Sequence, residues 1–248
     1  FLLKKDETHH SVFVGKYVSN HPESTTEKDL DLLSDVINEF EENTIHQEKE
    51  GSFKPSKNIF NAATFLPVHN LDLEELDHYF SKEKRHLEYK GDQLLSFFYE
   101  ENNHVVLKEK EILVDRPHGH IMQAKAGYTP DESIVSTTSY ACGVFNSHIT
   151  QGNTNFNRFL SLSSSQFNLE VETGQRIFIE IEDKKYLLGI PSAFEMGLNY
   201  CRWIYKFKEH CFQIRTWTSK DAPQVNMDFK VLNGSKVNIL VTNNLDEA

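Results

Sequence analysis

The pentapeptide RPHGH at residues 116–120 combines an arginine with two histidines two positions apart. In an extended segment His118 and His120 point to the same side. Two neutral imidazoles on one face can bind a metal ion or donate hydrogen bonds to sugar hydroxyls. A metal site needs further ligands, and no spacing rule ties His104 or His148 to this pair. Metal binding, contact with a sugar or a neighbouring domain, and ordinary turn chemistry all stay open, and we assign no metal and no cofactor.

Asparagine and glycine are concentrated between residues 143 and 157. Asparagine offers both donors and acceptors, as a hydroxyl-rich ligand requires, and glycine allows close backbone approach. The same residue types tolerate left-handed turn geometry, so a rigid loop between strands is an equally physical interpretation. The candidate contact residues in this segment are Asn146, His148, Asn153 and Asn155.

The segment from Cys201 to Thr218 has the pattern of a β-hairpin. A three-residue loop at 208–210 would place Trp203 opposite Arg215 as a cation–π pair. One face would then be aromatic and would serve either as a platform for pyranose rings or as the core of a sandwich. We expect Trp217 in the core and Trp203 partly buried near an edge. The aromatic residues of that predicted face are Trp203, Tyr205, Phe207 and Trp217.

Catalysis by the segment itself is poorly supported. The sequence contains no G-x-S-x-G elbow, no P-loop and no H-E-x-x-H motif. Glu195 is the only carboxylate in the apolar run 191–197, and no second carboxylate is evident beside it, whereas glycoside hydrolysis usually needs two. We therefore predict no catalytic residue.

Composition restricts the class of protein and of partner. The 248 residues are enough for one large domain or a domain with an appended piece, and 38% hydrophobic with 12% aromatic residues is typical of a packed protein. The net charge of −11 disfavours nucleic acid and anionic membranes, but a neutral sugar is indifferent to it. The three cysteines, Cys142, Cys201 and Cys211, form no C-x-x-C pair, so we expect free thiols and a cytoplasmic location.

Helix and strand signals predict three regions. Residues 1–42 are expected to hold the end of a preceding domain, with a short strand, and an amphipathic helix that begins at the Ser24–Glu27 capping box. Residues 43–83 are expected to be a linker and a short helix that begins at Asp72. Residues 84–248 carry many short strands separated by turns, which predicts a mainly β fold, an antiparallel β-sandwich that we expect to continue beyond residue 248. The expected strands are 10–18, 94–99, 105–114, 133–140, 176–182, 186–190, 201–207, 212–218, 225–232 and 237–242.

Several long runs of the sequence resemble the non-catalytic N-terminal region of the 1,2-β-oligoglucan phosphorylases of glycoside hydrolase family 94. The resemblance covers roughly residues 84–245, and it is looser over residues 10–35. A match over runs of this length indicates a family far more specifically than a motif of three residues does. The segments that carry the resemblance are 92–120, 143–157, 173–178, 189–199, 201–206 and 215–218.

The resemblance implies a galactose-mutarotase-like super-sandwich that belongs to an inverting glycoside phosphorylase. Such an enzyme is a glycosyltransferase that cleaves β-1,2-linked glucooligosaccharides with inorganic phosphate and releases glucose 1-phosphate. In the family, the catalytic acid and the phosphate-binding residues lie on a C-terminal (α/α)6 barrel that this sequence does not include. The resemblance implies that Arg202, Trp203 and the Asn-rich segment face that barrel or the sugar, and homo-oligomerisation stays open.

Two alternatives from other classes remain at this point. One is an autonomous carbohydrate-binding module that uses Trp203, Tyr205 and Trp217. The other is a structural domain that mediates dimerisation.

Overall fold

The computed structural model describes residues 26–32, 59–124, 134–152, 158–160 and 174–243. The chain divides into two compact units, residues 1–56 and residues 57–248. In the first unit the described residues form a 3-10 helix over Glu27–Leu30. The predicted strand at 10–18, most of the predicted amphipathic helix and the linker up to residue 58 lie outside the described residues.

The second unit is built mainly from β-strands. Its helices are α1 (Ile59–Ala62), α2 (Leu73–Tyr79) and α3 (Lys108–Leu113). Its strands are β1 (Thr64–Phe65), β2 (Lys84–Lys90), β3 (Gln93–Tyr99), β4 (Asn103–Leu107), β5 (Gly119–Gln123), β6 (Val135–Tyr140), β7 (Val144–Gln151), β8 (Arg158–Leu160), β9 (Gln175–Ile181), β10 (Lys184–Leu187), β11 (Ala193–Met196), β12 (Tyr200–Phe207), β13 (His210–Thr218), β14 (Val225–Asn233) and β15 (Asn238–Asn243).

These strands form one large and two small sheets. The large sheet has the order β14-β13-β12-β11-β4-β3-β2. The small sheets have the orders β1-β10-β9-β15 and β5-β6-β7-β8. The pairing is antiparallel throughout the described strands except between β1 and β10, which run parallel. The predicted mainly β, antiparallel sandwich is confirmed.

The main hydrophobic core joins the large sheet to both small sheets. Trp203 of β12 is fully buried, and its ring centroid lies 4.8 Å from that of Phe145 on β7 and 5.0 Å from that of Phe194 on β11. Ile177 and Ile179 of β9 belong to the same cluster. Full burial of a side chain of this size contributes roughly 1.5–3 kcal/mol. We call the side of the large sheet that carries Trp203 its inner face and the opposite side its outer face.

Helix α2 begins at a capping box that the sequence predicted correctly. The Asp72 side chain accepts from the backbone N–H of Glu75 at 2.9 Å, and the Glu75 carboxylate accepts from the backbone N–H of Asp72 at 2.9 Å. Leu76 of the helix joins Phe97 and Ile204 of the large sheet in a second apolar cluster. The helix therefore packs on the sheet as part of the second unit.

The register of the β12–β13 hairpin differs from the predicted register by one residue. The loop consists of Lys208 and Glu209, so Trp203 lies opposite Ile214, and Arg215 lies opposite Arg202. The predicted three-residue loop and the predicted Trp203–Arg215 pair are wrong. Opposed side chains share a face, and faces alternate along a strand.

With the observed register, the burial of the two tryptophans is the opposite of what was predicted. Trp203 was expected near an edge, but it is fully buried on the inner face together with Tyr205 and Phe207. Trp217 was expected in the core, but it lies half-buried on the outer face. The predicted aromatic face that combined all four rings therefore does not exist.

Two polar stretches also differ from their predicted structure. The Asn-rich segment does not begin as a loop, because β7 is a largely buried strand in which the Asn146 Oδ1 accepts from Thr137 Oγ1 at 3.0 Å. The predicted strand 105–114 ends at Leu107 and continues as α3, with Glu109 and Glu111 in the helix's first turn, where acidic side chains are favourable.

The three cysteines are free thiols, as expected. Cys201 faces Thr216 and Cys211 faces Lys206, so the two hairpin cysteines do not oppose each other. Burial raises the pKa of Cys142 to about 11, which keeps that thiol protonated at neutral pH.

The burial difference between the tryptophans is testable. Trp203→Ala is expected to lower the free energy of unfolding by about 3–5 kcal/mol, because it leaves a cavity between the sheets. It also removes the hydrogen bond from Trp203 Nε1 to the carbonyl of Tyr140 (3.1 Å). Trp217→Ala is expected to cost about 1 kcal/mol. Urea unfolding of both variants measures the difference, and a larger loss for Trp217→Ala would contradict the register described here.

Candidate binding sites on the large sheet

A buried carboxylate organises the outer face of the large sheet. Glu195 of β11 is 1% exposed, and its Oε1 accepts from the hydroxyls of Tyr99 and Tyr200, each at 2.5 Å. Its Oε2 accepts from Arg202 Nε. A buried carboxylate is stable only when it is paired and hydrogen-bonded, and here both oxygens are engaged.

Arg202 connects this carboxylate to helix α2. Its Nη2 donates to the carbonyl of Tyr79 at 3.0 Å, and its guanidinium carbon lies 4.9 Å from the ring centroid of Phe80. One side chain therefore neutralises the buried charge and satisfies a carbonyl at the end of α2. This network, formed by Tyr99, Glu195, Tyr200 and Arg202, we call the Glu195 network.

The two tyrosines of the Glu195 network act as permanent donors. Burial, followed by the hydrogen bond to the carboxylate, raises the pKa of Tyr99 and of Tyr200 above the ordinary value for a phenol. Neither hydroxyl ionises near neutral pH, so neither serves as a base. The Glu195 network therefore links β3, β11, β12 and the end of helix α2, and it is not suited to proton transfer.

A more exposed group lies beside this network on the same face. Arg215 of β13 is exposed, and its guanidinium carbon lies 5.0 Å from the ring centroid of Tyr200 and 5.2 Å from that of Trp217. Both rings are half-buried. We call Tyr200, Arg215 and Trp217 the outer cluster.

A second group of titratable side chains lies at the opposite side of the large sheet. His118 Nδ1 lies 2.7 Å from Oε2 of the buried Glu111, and the backbone N–H of His118 donates to Oε1 of the same carboxylate at 3.1 Å. The ring centroids of His104 and His118 are 6.4 Å apart. His104 stacks on Phe98 at 4.3 Å.

His104 is kept neutral by its surroundings. Burial lowers its pKa to about 4, and the charges of Lys110 and His118 act in the same direction. Glu88 opposes the shift, but Lys110 forms an ion pair with that carboxylate. A neutral imidazole can accept or donate a hydrogen bond without attracting an anion.

Several predicted contact residues lie inside the protein. Asn146 is buried, and its amide donates to Gln175 Oε1. His148 is buried, with Nδ1 2.8 Å from Ser147 Oγ. Together with Trp203, these side chains contribute to packing and internal hydrogen bonding rather than to the predicted contact surface.

The remaining predicted residues do not form one site. Arg202 lies on the outer face, whereas His118 lies near His104 on the inner side. His120 is half-buried on β5, and burial lowers its pKa while backbone groups of Leu198 and Gly197 oppose the shift. Asn153 and Asn155 lie outside the described residues.

Two residues of the outer face, Tyr99 and Tyr200, were not predicted as site residues, and Arg215 was predicted to pair with Trp203, whereas it packs on Tyr200 and Trp217. Neither tyrosine belongs to a motif, but alternation places Tyr200 on the same face as Arg202 and two residues from it. Across the described ranges, no group of three or more His, Cys, Asp or Glu side chains is arranged to hold a metal ion. No helix in the described part is long and apolar enough to cross a membrane.

The family model of the glycoside phosphorylase supersandwich domain matches residues 81–247. The chain belongs to this family. This supersandwich domain is also 33% identical over 156 residues to a 1,2-beta-oligoglucan phosphorylase from Listeria innocua serovar 6a. The aligned residues make up 63% of this chain and 14% of that relative, so the chain spans a small part of it. The resemblance found in the sequence is confirmed.

Two arginines that face each other across β12 and β13 provide a matched test of the Glu195 network. Arg202→Met is expected to lower the free energy of unfolding of the supersandwich domain by about 3–5 kcal/mol, because Glu195 is left as an unpaired buried charge. Arg215→Met removes an exposed guanidinium and is expected to cost no more than about 1 kcal/mol. Adding Glu195→Leu to Arg202→Met should recover part of the loss. Equal losses of unfolding free energy for the two arginine variants in urea would contradict the expected contribution of the Glu195 network to stability.

The pKa of His104 predicts a dependence of stability on pH. Its folded-state pKa of about 4 lies below the ordinary 6.5, so the unfolded chain binds the proton more readily between these values. The contribution of neutral His104 is therefore complete above pH 6.5 and is lost as the pH falls towards 4. His104→Phe retains an aromatic ring against Phe98 and should reduce the slope of unfolding free energy against pH in this window. Identical slopes for the wild type and the variant would contradict this assignment.

Proposed function

We propose that this supersandwich domain is an accessory segment of a glycoside phosphorylase that acts on β-1,2-linked glucooligosaccharides with inorganic phosphate and releases glucose 1-phosphate. The observation that carries the proposal is the 33% identity to a protein named 1,2-beta-oligoglucan phosphorylase. The supersandwich family of the chain supports the broader class, glycoside phosphorylase.

The accessory role is supported by the state of the buried carboxylates in the described residues. Inverting phosphorolysis needs one carboxylic acid as proton donor, with phosphate in place of the second carboxylate. Glu111 is engaged by His118, and Glu195 is engaged by Arg202 and two tyrosine hydroxyls. Both carboxylates therefore serve as structural acceptors. The proton donor and the phosphate site are proposed to lie on a C-terminal (α/α)6 barrel, which is the proposed partner.

The half-buried members of the predicted contact set are proposed to face that barrel or its sugar. These are His118, which directly precedes β5, His120 on β5 and Arg202 on β12 of the large sheet. The net charge of −11 is compatible with a neutral glucan as ligand. A reducing, cytoplasmic location is proposed on the basis of the three free thiols.

The test compares the 248-residue chain with the longer natural polypeptide that contains it. Both are incubated with sophorooligosaccharides and inorganic phosphate, and release of glucose 1-phosphate is measured. The longer polypeptide is expected to release it, and the 248-residue chain is expected to match the buffer blank. Turnover by the 248-residue chain would overturn the accessory role. A longer polypeptide that phosphorolyses another linkage but not the β-1,2 linkage would overturn the substrate.

A further inference from the structure

We propose that the outer cluster, Tyr200, Arg215 and Trp217, is a binding site for a neutral pyranose ring of a glucooligosaccharide. The proposal goes beyond the proposed function, because it requires neither phosphate nor a catalytic acid. Only the choice of glucose as the sugar rests on the proposed function.

The two rings are placed as a pair by the strands beneath them. Tyr200 and Trp217 are directly opposed residues of β12 and β13, so both side chains rise from the outer face at adjacent points. Both residues are half-buried, and the Arg215 guanidinium lies over each ring. The apolar C–H face of a pyranose would pack on the ring surface that the guanidinium leaves uncovered. The aromatic residues of the inner face, Trp203 and Tyr205, are closed to such a ligand by the small sheets.

Arg215 supplies hydrogen-bond donors at the same place. It is exposed and forms no ion pair with any described residue, and its guanidinium packs on the rings of Tyr200 and Trp217. Packing against two rings restricts the guanidinium while its N–H groups remain available. A restricted donor costs less conformational entropy on binding than a free side chain does.

Hydrogen-bond acceptors lie opposite Arg215 and Trp217 on the neighbouring strand β14. Asp228 of β14 is exposed and lies across from Arg215, and Asn226 is half-buried and lies across from Trp217. Opposed side chains share a face, so the four residues belong to one surface. Sugar hydroxyls act as donor and acceptor at once, and this surface offers an arginine, a carboxylate and the amide oxygen of Asn226, whose nitrogen donates to Ser219 Oγ at 3.0 Å.

The Glu195 network makes the surface rigid from below. The hydroxyl of Tyr200 donates to Glu195 at 2.5 Å, and Arg202 and Tyr99 hold the same carboxylate. The hydroxyl end of the Tyr200 ring is therefore anchored by the Glu195 network. A preorganised ring can stack on a ligand without first losing rotational freedom.

The charges favour a neutral ligand over an anion. Asp228 places a negative charge across from Arg215, and the chain as a whole carries a net charge of −11. Arg215 attracts a phosphate whereas Asp228 and the net charge repel it, and an uncharged sugar is indifferent to all three. The site is a surface of a sheet rather than an enclosed cavity, so weak binding of one or two rings is expected.

The test is calorimetric titration of the 248-residue chain with sophorotriose, a neutral β-1,2-linked glucose trimer. We expect saturable binding with a dissociation constant on the order of 1 mM. Trp217→Ala and Arg215→Met should each weaken binding at least about tenfold, as loss of a stacked ring or of a positioned donor does. The matched control is Tyr89→Ala, which removes an aromatic ring that is 55% exposed on the edge strand β2 and should leave the affinity within about twofold.

Tryptophan fluorescence locates the ligand. The chain has two tryptophans, and because Trp203 is buried, a change on titration reports Trp217. Arg215→Met retains both tryptophans, so their emission shows that the variant is folded while its affinity is measured. Absence of saturable binding, unchanged affinity in both variants, or displacement of sophorotriose by inorganic phosphate would each overturn the proposal.

The outcome is independent of phosphorolysis. Sophorotriose binding by the 248-residue chain supports the site even where the longer polypeptide releases no glucose 1-phosphate. Conversely, phosphorolysis by the longer polypeptide without this binding overturns the site and leaves the proposed function standing.

Discussion

The register of the β12–β13 hairpin is the constraint on which the arrangement of both faces depends. Side chains alternate between faces along a strand, so a shift of one residue would exchange every inward and outward position. The two-residue loop of Lys208 and Glu209 places Trp203 opposite Ile214 and turns both inward. The same register turns Arg202 and Arg215 outward.

The two faces then have different physical requirements. Around Trp203 the inner face is apolar and covered by both small sheets, so Trp203 and Phe145 stabilise the fold by burial. The outer face contains the buried carboxylate of Glu195, which is tolerated because Arg202 and two tyrosine hydroxyls saturate it. A single strand, β12, therefore supplies the main core on one side and the partner of a buried charge on the other.

The sequence predicted β3, β6, β9 and β12 to β15 from their alternation and helix α2 from its capping box, because these signals are local. It did not predict β2, β5, β7 or β11. The hairpin register was not predicted, because its two-residue loop requires Lys208 to adopt a positive φ of 52°. This conformation is uncommon for lysine, so the residue type does not indicate it. Asn146 was also interpreted as a surface residue, because its partners Thr137 and Gln175 come from other strands. The resemblance to the phosphorylase family was readable over long runs, but the pairing of Tyr99 with Glu195 joins residues that are 96 positions apart.

The most direct test of this account is a measurement of backbone NOEs between β12 and β13 in isotope-labelled protein. The register described here predicts cross-strand contacts that link Tyr200 with Trp217, Arg202 with Arg215 and Trp203 with Ile214. Contacts that instead link Trp203 with Arg215 and Cys201 with Trp217 would contradict it, because the core, the Glu195 network and the outer cluster would then all be assigned to the wrong faces.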